Sequence, residues 1–319
     1  MLDGIFYFIL NMSITSCFVI ASLLLIRLCR PLPRRFVYPL WALAFMRLVI
    51  PFTLTSGWSL FNFTGGLVKR LVAVETITYG SVTAPASAHL MMMNMVGAAD
   101  RYSPIVYKTE ALRHVFVIGS TVWGIVAAAA LLAVCILYSL TYKELKKAVL
   151  VRDNIYRSDM LLSPVLTGVL RPKIILPPGI DPDSASGKMI LTHENVHKKR
   201  LDNLWRTIAV GIACMHWFNP LVWVMLKAFF TDMELSCDEA VLRHGRYGND
   251  ETRAYASTLL QFVQDKGFLI SSAFGRSGVR VRIMNVLNYK RMTVIGAAAS
   301  AAFMIAVALV LITNPTLRG

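Results

Sequence analysis

The sequence has few charged residues for its length. Only 16% of its 319 residues are Asp, Glu, Lys or Arg, whereas about a quarter is usual in a soluble domain. Hydrophobic residues make up 56% of the chain, and the mean hydropathy is +0.57. This composition argues against a soluble protein and predicts a membrane protein.

Acidic residues are especially scarce. The 18 Asp and Glu residues stand against 33 Lys and Arg, which gives a formal net charge of +15 at pH 7. Such an excess can mark a nucleic-acid-binding protein, but no recognition module is apparent, and the basic residues cluster beside long apolar runs. We therefore expect membrane lipid as a partner and no direct binding of nucleic acid.

The chain also lacks the cysteine patterns of a disulfide-rich or zinc-finger protein. None of its five cysteines forms a CxxC pair, so a disulfide framework is not expected. No internal repeat is visible either, which argues against a transporter built from repeated broken helices. The apolar runs therefore guide the prediction of the fold.

Four apolar runs are long enough to cross a bilayer, which takes roughly 20 helical residues. They occupy about 5–26, 36–54, 115–140 and 293–313. The first run is followed by "RLCRPLPRR" instead of a small-residue cleavage site, so it is not a signal peptide. The predicted fold class is a mainly α-helical membrane protein with four transmembrane helices, the first two within residues 1–54.

The charge of the loops predicts the orientation. The short loop between the first two runs holds four arginines, residues 55–112 carry four basic and three acidic groups, and residues 141–291 carry 22 basic against 14 acidic groups. Basic loops tend to stay in the cytoplasm. The sequence therefore predicts a multi-pass protein of the cell membrane with both termini outside. Its other parts would be an extracellular loop at 55–114, a cytoplasmic domain at 141–291, and the last helix with a short outer tail at 292–319.

The string "HENVH" at residues 193–197 is an HExxH motif. On a helix, His193 and His197 lie one turn apart on the same face. Zinc peptidases use two such histidines to bind the metal ion, and the glutamate between them, here Glu194, faces the metal-bound water. A catalytic zinc ion also needs a third protein ligand and an open position.

Two carboxylates in "TDMELSCDEAVLRH" (231–244) offer that third ligand. Glu234 and Asp238 are four residues apart in a stretch with helical apolar spacing. One of them could bind the metal, and the other could accept a hydrogen bond from a ligand histidine and orient it. The alternative is an exposed acidic patch. The nearby HExxH motif and the otherwise basic surroundings favour the metal interpretation.

Several motifs together resemble the BlaR/MecR family of bacterial membrane sensor-transducers, which are gluzincin-type metallopeptidases. The matching segments are "HENVHKKRLDNLWR", "FNPLVWVMLKAF", "MELSCDEAVL", "SPVLTGVLRPKIILPPGI", "FGRSGVRVRIMNVLNYK" and "PLWALAFMRLVIPF". The resemblance covers nearly all of the chain. It implies a cytoplasmic gluzincin-like α+β zinc metallopeptidase domain inserted between transmembrane helices 3 and 4, with Zn²⁺ as the cofactor.

The resemblance also implies a role for each site residue. His193, His197 and Glu234 would bind the zinc ion. Glu194 would act as the general base of peptide hydrolysis, and Asp238 would support a ligand histidine from behind.

Other residues near the motif have less defined roles. Asp202, five residues after His197, recurs in this and related membrane peptidases. A helical residue at that offset does not share the ligand face, so a structural contact is an equal alternative. The residue that stabilises the oxyanion is not evident, and Arg243, His244 and Tyr255 are candidates by their chemistry alone.

The apolar segment 207–230 could be a fifth crossing by hydropathy alone. The two histidines precede it and Glu234 follows it, so a crossing would place ligands of one ion on opposite sides of the bilayer. The proline in "HWFNP" also interrupts a helix. We therefore expect a helical hairpin broken near Asn219–Pro220, and four crossings instead of five.

The resemblance implies a function in signal transduction. The expected activity is an integral-membrane zinc endopeptidase that cleaves itself or a cytoplasmic protein, which in the best-known members is a transcriptional repressor. The sequence contains no S-x-x-K and no K-T-G, so it lacks the C-terminal penicillin-binding sensor domain of those members. It is therefore either truncated from a longer sensor or a short member that acts as a homodimer or with a separate sensor partner.

The alternative function is a non-catalytic membrane signal transducer with a structural zinc site. An intact Glu194 disfavours it, because a structural site has no use for a general base. A structural zinc ion would also be closed by four protein ligands.

Four further features have two interpretations each. The strand "KIIL" (173–176) either pairs with an extended substrate or is structural. Residues 265–278 are either a self-cleavage linker or a connector. Arg47 either forms an intramembrane ion pair or contacts the zinc domain, or else it snorkels or pairs within the helical bundle. The stretch "HLMMMNM" (89–95) is a flexible or apolar loop in preference to a copper site.

Overall fold

The structure is a computed structural model. It describes residues 2–29, 32–50, 56, 58–60, 78–79, 82–83, 110–244, 249–264 and 279–313. The 89–95 loop and the 265–278 linker, each with two interpretations from sequence, lie outside the described residues.

Helices dominate the described part of the chain. The helices are α1 (Leu2–Arg27), α2 (Arg34–Val49), α3 (Glu110–Leu145), α4 (Ala185–Arg200), α5 (Asp202–Met215), α6 (Pro220–His244), α7 (Asn249–Gln264), α8 (279–287) and α9 (Val294–Ile312). The strands are β1 (Thr78–Tyr79), β2 (Val82–Thr83), β3 (Val149–Arg152), β4 (Ile155–Arg157), β5 (Val165–Thr167) and β6 (Lys173–Leu176).

Among the described residues, three helices are long and apolar enough to cross a membrane. They are α1, residues His114–Leu145 of α3, and α9, and they coincide with the first, third and fourth predicted crossings. The second predicted crossing, 36–54, contains α2, whose 16 residues rise only about 24 Å. The hydrocarbon core is about 30 Å thick, so the four-crossing topology stays a prediction.

Arg47 of α2 pairs within the helical bundle. It is only 2% exposed, and its guanidinium donates a hydrogen bond to the Ile312 carbonyl at the end of α9, at 3.2 Å. A cation at the C-terminus of a helix is stabilised by the unpaired carbonyl groups there. This contact agrees with the bundle interpretation of the arginine.

The apolar segment 207–230 forms a broken helical hairpin. Helix α5 ends at Met215 and α6 begins at Pro220, so the helix is interrupted at residues 216–219. The two helices pack against each other. The helix thus breaks near Asn219–Pro220, where the sequence predicts it, and the two arms come together far from the break, where Arg206 of α5 pairs with Glu234 of α6.

Asn219 fastens the tip of this hairpin to α1. Its side-chain amide donates to Ser13 Oγ at 2.8 Å and to Cys17 Sγ at 3.2 Å. Its side-chain carbonyl accepts from the Leu221 N–H at 2.9 Å, which satisfies a free donor in the first turn of α6. One buried side chain therefore both starts α6 and holds it against α1.

Asn219→Ala should lower the free energy of unfolding by about 1–2 kcal/mol, because it removes a helix cap and leaves buried polar partners unsatisfied. Thermal unfolding of the purified protein in detergent measures this change. Asn288→Ala, which replaces an exposed asparagine, is the matched control and should change little. Equal stability of the two variants would contradict this role of Asn219.

The larger sheet has the strand order β3-β4-β6-β5. Strand β6 pairs in parallel with β4 on one side and antiparallel with β5 on the other. The interpretation of residues 173–176 as a substrate-pairing strand is therefore wrong, because both edges of this strand are already occupied. The structural alternative is confirmed.

The hairpin shares one hydrophobic core with α1, α2 and α9. Buried side chains of α1, α2, α5, α6 and α9 form a single cluster. Within it, the fully buried Asp232 of α6 accepts hydrogen bonds from Arg27 Nε at 2.9 and 3.0 Å and from Trp41 Nε1 at 2.9 Å. This carboxylate joins three helices two residues before Glu234, so the helix carrying Glu234 is anchored in the bundle.

Candidate metal centre

Helix α4 carries the HExxH motif and has defined ends. Ser184 caps its start by accepting from the Gly187 N–H at 3.0 Å. Glycine is required at 187, because a Cβ atom there would overlap the Asp181 carbonyl oxygen. At the other end, Leu201 adopts the left-handed conformation with φ 55°, which is uncommon outside glycine. The chain turns there into α5.

The two histidines of the motif face each other inside the protein. His193 and His197 are 7% and 4% exposed, and their Nε2 atoms lie 3.1 Å apart. The Nδ1 atom of His193 is 2.9 Å from the Tyr255 hydroxyl, which itself donates to Asp238 at 2.7 Å. The Nδ1 atom of His197 is 2.6 Å from Asp202. These partners place both protons on Nδ1, so the two Nε2 lone pairs converge.

Asp202 reaches His197 because the helix is not continuous. Its spacing in a straight helix places it off the ligand face, but the turn at Leu201 brings its carboxylate back toward the ring. Its other oxygen accepts from the Tyr38 hydroxyl of α2 at 3.0 Å and lies 3.3 Å from Arg200 Nε. Asp202 therefore ties His197 to α2.

Glu234 of α6 faces both imidazoles. Its carboxylate oxygens lie 3.6 Å from His193 Nε2 and 3.7 Å from His197 Nε2. One oxygen also forms an ion pair with Arg206, and the other lies 3.1 Å from the Arg282 guanidinium. The side chain is 24% exposed, so the cluster is open to solvent on one side.

A second candidate metal-binding group has Cys237 in place of Glu234 beside the same two histidines. Ligand atoms of His193, His197 and Cys237 all lie within 4.8 Å of one another. The cysteine is fully buried, and its thiol donates to the His193 carbonyl at 3.4 Å. The geometry favours Glu234 as the third ligand, because its carboxylate faces both Nε2 atoms and the thiol already has an acceptor.

Glu194 lies on α4 between the two histidines and is half-buried. Within the described part of the chain, no hydrogen bond or ion pair engages its carboxylate. A carboxylate beside the cluster and without a competing partner is available to bind a proton.

Sequence reasoning missed the roles of three residues of this centre. Arg206 and Arg282 lie within segments that resemble the family, but only the fold brings them to Glu234. Tyr255, an oxyanion candidate, is 1% exposed and lies behind the first histidine, so it acts on the ring. Arg243 is exposed, and the side chain of His244 lies outside the description.

The electrostatics of the centre favour a cation between the histidines. Burial lowers the pKa of His197, but the charge of Glu234, the neighbouring Cys237 and the hydrogen bond to Asp202 outweigh it and raise that pKa well above its ordinary value. Burial raises the pKa of Glu234, but His197 and Arg282 outweigh it and hold that pKa well below its usual range. The glutamate is therefore ionised at neutral pH, and positive charge is stabilised opposite it.

The donor set fits a catalytic zinc ion. Ligand atoms about 2 Å from a tetrahedral zinc ion are about 3.3 Å apart. The Nε2 atoms of His193 and His197 are 3.1 Å apart, and the Glu234 oxygens lie 3.6 and 3.7 Å from them. Both imidazoles also make an outer hydrogen bond from Nδ1, as metal-binding histidines usually do.

Membrane-length helices, an HExxH helix and a buried histidine pair beside a carboxylate define the class of membrane metallopeptidases. The chain belongs to the BlaR1 peptidase M56 family, whose family model matches residues 7–286. The predicted resemblance to the BlaR/MecR family is thereby confirmed. Membership implies metal-dependent protease activity.

A curated relative supports the same conclusion. Regulatory protein BlaR1 of Bacillus licheniformis is 37% identical over 158 residues, which are 46% of this chain and 25% of the relative. The chain thus spans about a quarter of the length of that protein. The family model and this relative together support membership of the BlaR1 peptidase family.

Proposed function

We propose that this chain is a zinc endopeptidase that cleaves itself, a cytoplasmic regulator, or both. The observation that carries the proposal is the convergence of two imidazoles and one carboxylate from two helices. The Nε2 atoms are 3.1 Å apart and the Glu234 oxygens lie 3.6 and 3.7 Å from them. Few structural contacts would hold three such donors together beside an opening to solvent.

In this proposal, His193, His197 and Glu234 hold the zinc ion. Asp202 orients one imidazole directly, and Asp238 orients the other through its own contact and through a tyrosine hydroxyl. Such outer hydrogen bonds fix the tautomer and the direction of each ring.

Glu194 is the proposed general base. A bound zinc ion supplies an acidified water molecule and a polarised scissile carbonyl. Glu194 would accept a proton from the attacking water as its oxygen adds to the scissile carbonyl carbon, and would return that proton to the amine nitrogen as the C–N bond breaks. It directly follows His193 on α4, which is the place of the general base in an HExxH motif.

We propose that the centre lies on the cytoplasmic side of a four-crossing protein with both termini outside. The excess of basic residues in 141–291 supports this orientation. The hairpin supports it too, because it returns the chain to the side from which it came. In this arrangement α2 is the second, shorter crossing, and residues 141–291 form the zinc metallopeptidase domain.

The proposed substrates are a cytoplasmic transcriptional repressor and the chain itself. The name of the relative, regulatory protein BlaR1, supports the first. Residues 265–278 are the proposed self-cleavage segment, because they lie between α7 and α8, ahead of the last membrane helix, and contain several Gly and Ser residues. The chain would act as a homodimer or together with a separate sensor protein.

One observation favours the second candidate function, a non-catalytic transducer with a structural zinc ion. The buried thiol of Cys237 lies close to both histidines and could close the site as a fourth protein ligand. A closed site leaves no position for water or substrate.

A hydroxamate peptide separates the two functions. If the zinc site is open, the hydroxamate binds the ion and lowers fragment formation by at least about tenfold while the zinc stays on the protein. Fragments on a gel and zinc retained after gel filtration are the two measurements. The control is the same peptide with a carboxamide. Equal fragment formation with both peptides would count against an open catalytic site.

A further inference from the structure

Arg282 of α8 contacts three side chains of the centre. Its Nε and one terminal nitrogen lie 2.9 and 2.8 Å from the two oxygens of Asp238. Its other terminal nitrogen lies 3.1 Å from a Glu234 oxygen. The terminal nitrogen of Arg282 that contacts Asp238 also lies 3.3 Å from His193 Nε2. One guanidinium thus contacts both carboxylates and a histidine of the motif.

The guanidinium is itself held rigidly. The Arg282 side chain is 17% exposed and the Asp238 side chain is fully buried. A bidentate pair with a carboxylate fixes the plane of the guanidinium and not only its charge. The third nitrogen is therefore directed at Glu234 by the geometry of the pair.

This contact has two possible meanings for a metal ion. The guanidinium could compete with the ion for Glu234, or it could hold the glutamate at the place where the ion needs it. Both its Nε and one terminal nitrogen are bound to Asp238, so only one nitrogen engages Glu234. The second Glu234 oxygen faces His197 and pairs with Arg206, so Arg282 does not engage it. The arrangement favours holding over competition.

We propose that Arg282 is a positioning residue of the metal centre, which holds Glu234 directly and His193 through Asp238. The inference rests on the proposed zinc function and adds a residue from a third segment to it. Helix α8 lies between the 265–278 segment and α9, so the centre is assembled from both sides of that segment. Removal of the arginine would loosen a ligand without removing one.

The test compares Arg282→Met and Arg282→Lys with Arg280→Met in the full chain in detergent. Arg280 is on the same helix and is exposed, so its replacement is the matched control. We expect zinc affinity, measured by competition with a chelator, to fall about 10- to 100-fold in Arg282→Met, as for other outer partners of metal ligands. The control should match the wild type.

A spectroscopic signal separates positioning from a general effect on the fold. The visible absorption of the cobalt-substituted protein reports the geometry of the ligands. We expect it to change in Arg282→Met and to be partly restored in Arg282→Lys. If the methionine variant does not fold, the cobalt spectrum of the lysine variant tests the positioning role. Lysine keeps the charge and loses only the planar fork of the guanidinium.

Two results would overturn the inference. One is a spectrum and a zinc affinity for both Arg282 variants equal to those of Arg280→Met. The other is tighter zinc binding in Arg282→Met, which would show competition with the metal. A wild-type protein that binds neither zinc nor cobalt at this site would instead contradict the proposed function, so the two failures are distinguishable.

Discussion

Glu194→Gln is expected to lower fragment formation by at least about 1000-fold while the protein keeps its zinc ion. The glutamine is nearly the same size and cannot take a proton from water, so the loss of the general base is the main effect. The centre itself keeps its ligands, since the carboxylate engages no other group among the described residues. The measurement is a time course of fragments in membranes, with a candidate repressor present.

The control for this experiment is a carboxylate away from the centre. Glu144 forms an exposed ion pair with Lys147 at 3.1 Å, and Glu144→Gln should leave the fragments unchanged. Zinc content measured on the same preparations shows whether the centre is intact. If Glu194→Gln and Glu144→Gln give the same fragments as the wild type, this chain is not the peptidase that produces them.

The second large effect concerns the third ligand. Glu234→Gln should lower zinc affinity by about 100-fold or more, because a neutral amide oxygen replaces a charged ligand and the histidines lose their anionic partner. Cys237→Ser should retain about one zinc ion per chain. Metal analysis of the two purified variants after dialysis measures both.

The opposite result would assign the other ligand set. Loss of zinc in Cys237→Ser with retention in Glu234→Gln would mean that the two histidines and the thiol hold the metal. Loss in both would mean four protein ligands and a closed site, which is the structural alternative. Circular dichroism of each variant checks that the helices remain, since Glu234 also pairs with Arg206 and Arg282.

The broken hairpin shows what sequence reasoning could reach. Hydropathy alone makes residues 207–230 a crossing, and only the need to bring Glu234 back to the histidines forbids it. The structure breaks the helix at residues 216–219, as that chemical constraint requires. The HExxH motif thus led to a hairpin, where hydropathy alone predicts a fifth crossing.

The contact of Asp202 shows where such reasoning stops. Helical periodicity places Asp202 off the face of His197, and that is correct for a straight helix. Helix α4 ends just before Leu201, which has the left-handed conformation, and Asp202 begins the next helix. The sequence does not mark this turn, because leucine seldom adopts such a conformation. The 2.6 Å contact therefore depends on the surrounding packing.

The sequence by itself indicated the class of membrane proteins, the two histidines of the HExxH motif on α4 and the pair of carboxylates on α6. Composition and short spacings carry these, because they are set by local periodicity and by the chemistry of single residues. The tertiary structure alone decided that β6 is covered on both edges and that Arg206, Tyr255 and Arg282 complete the centre. Contacts between residues far apart in the chain depend on how helices pack, and packing leaves no periodic signal in the sequence.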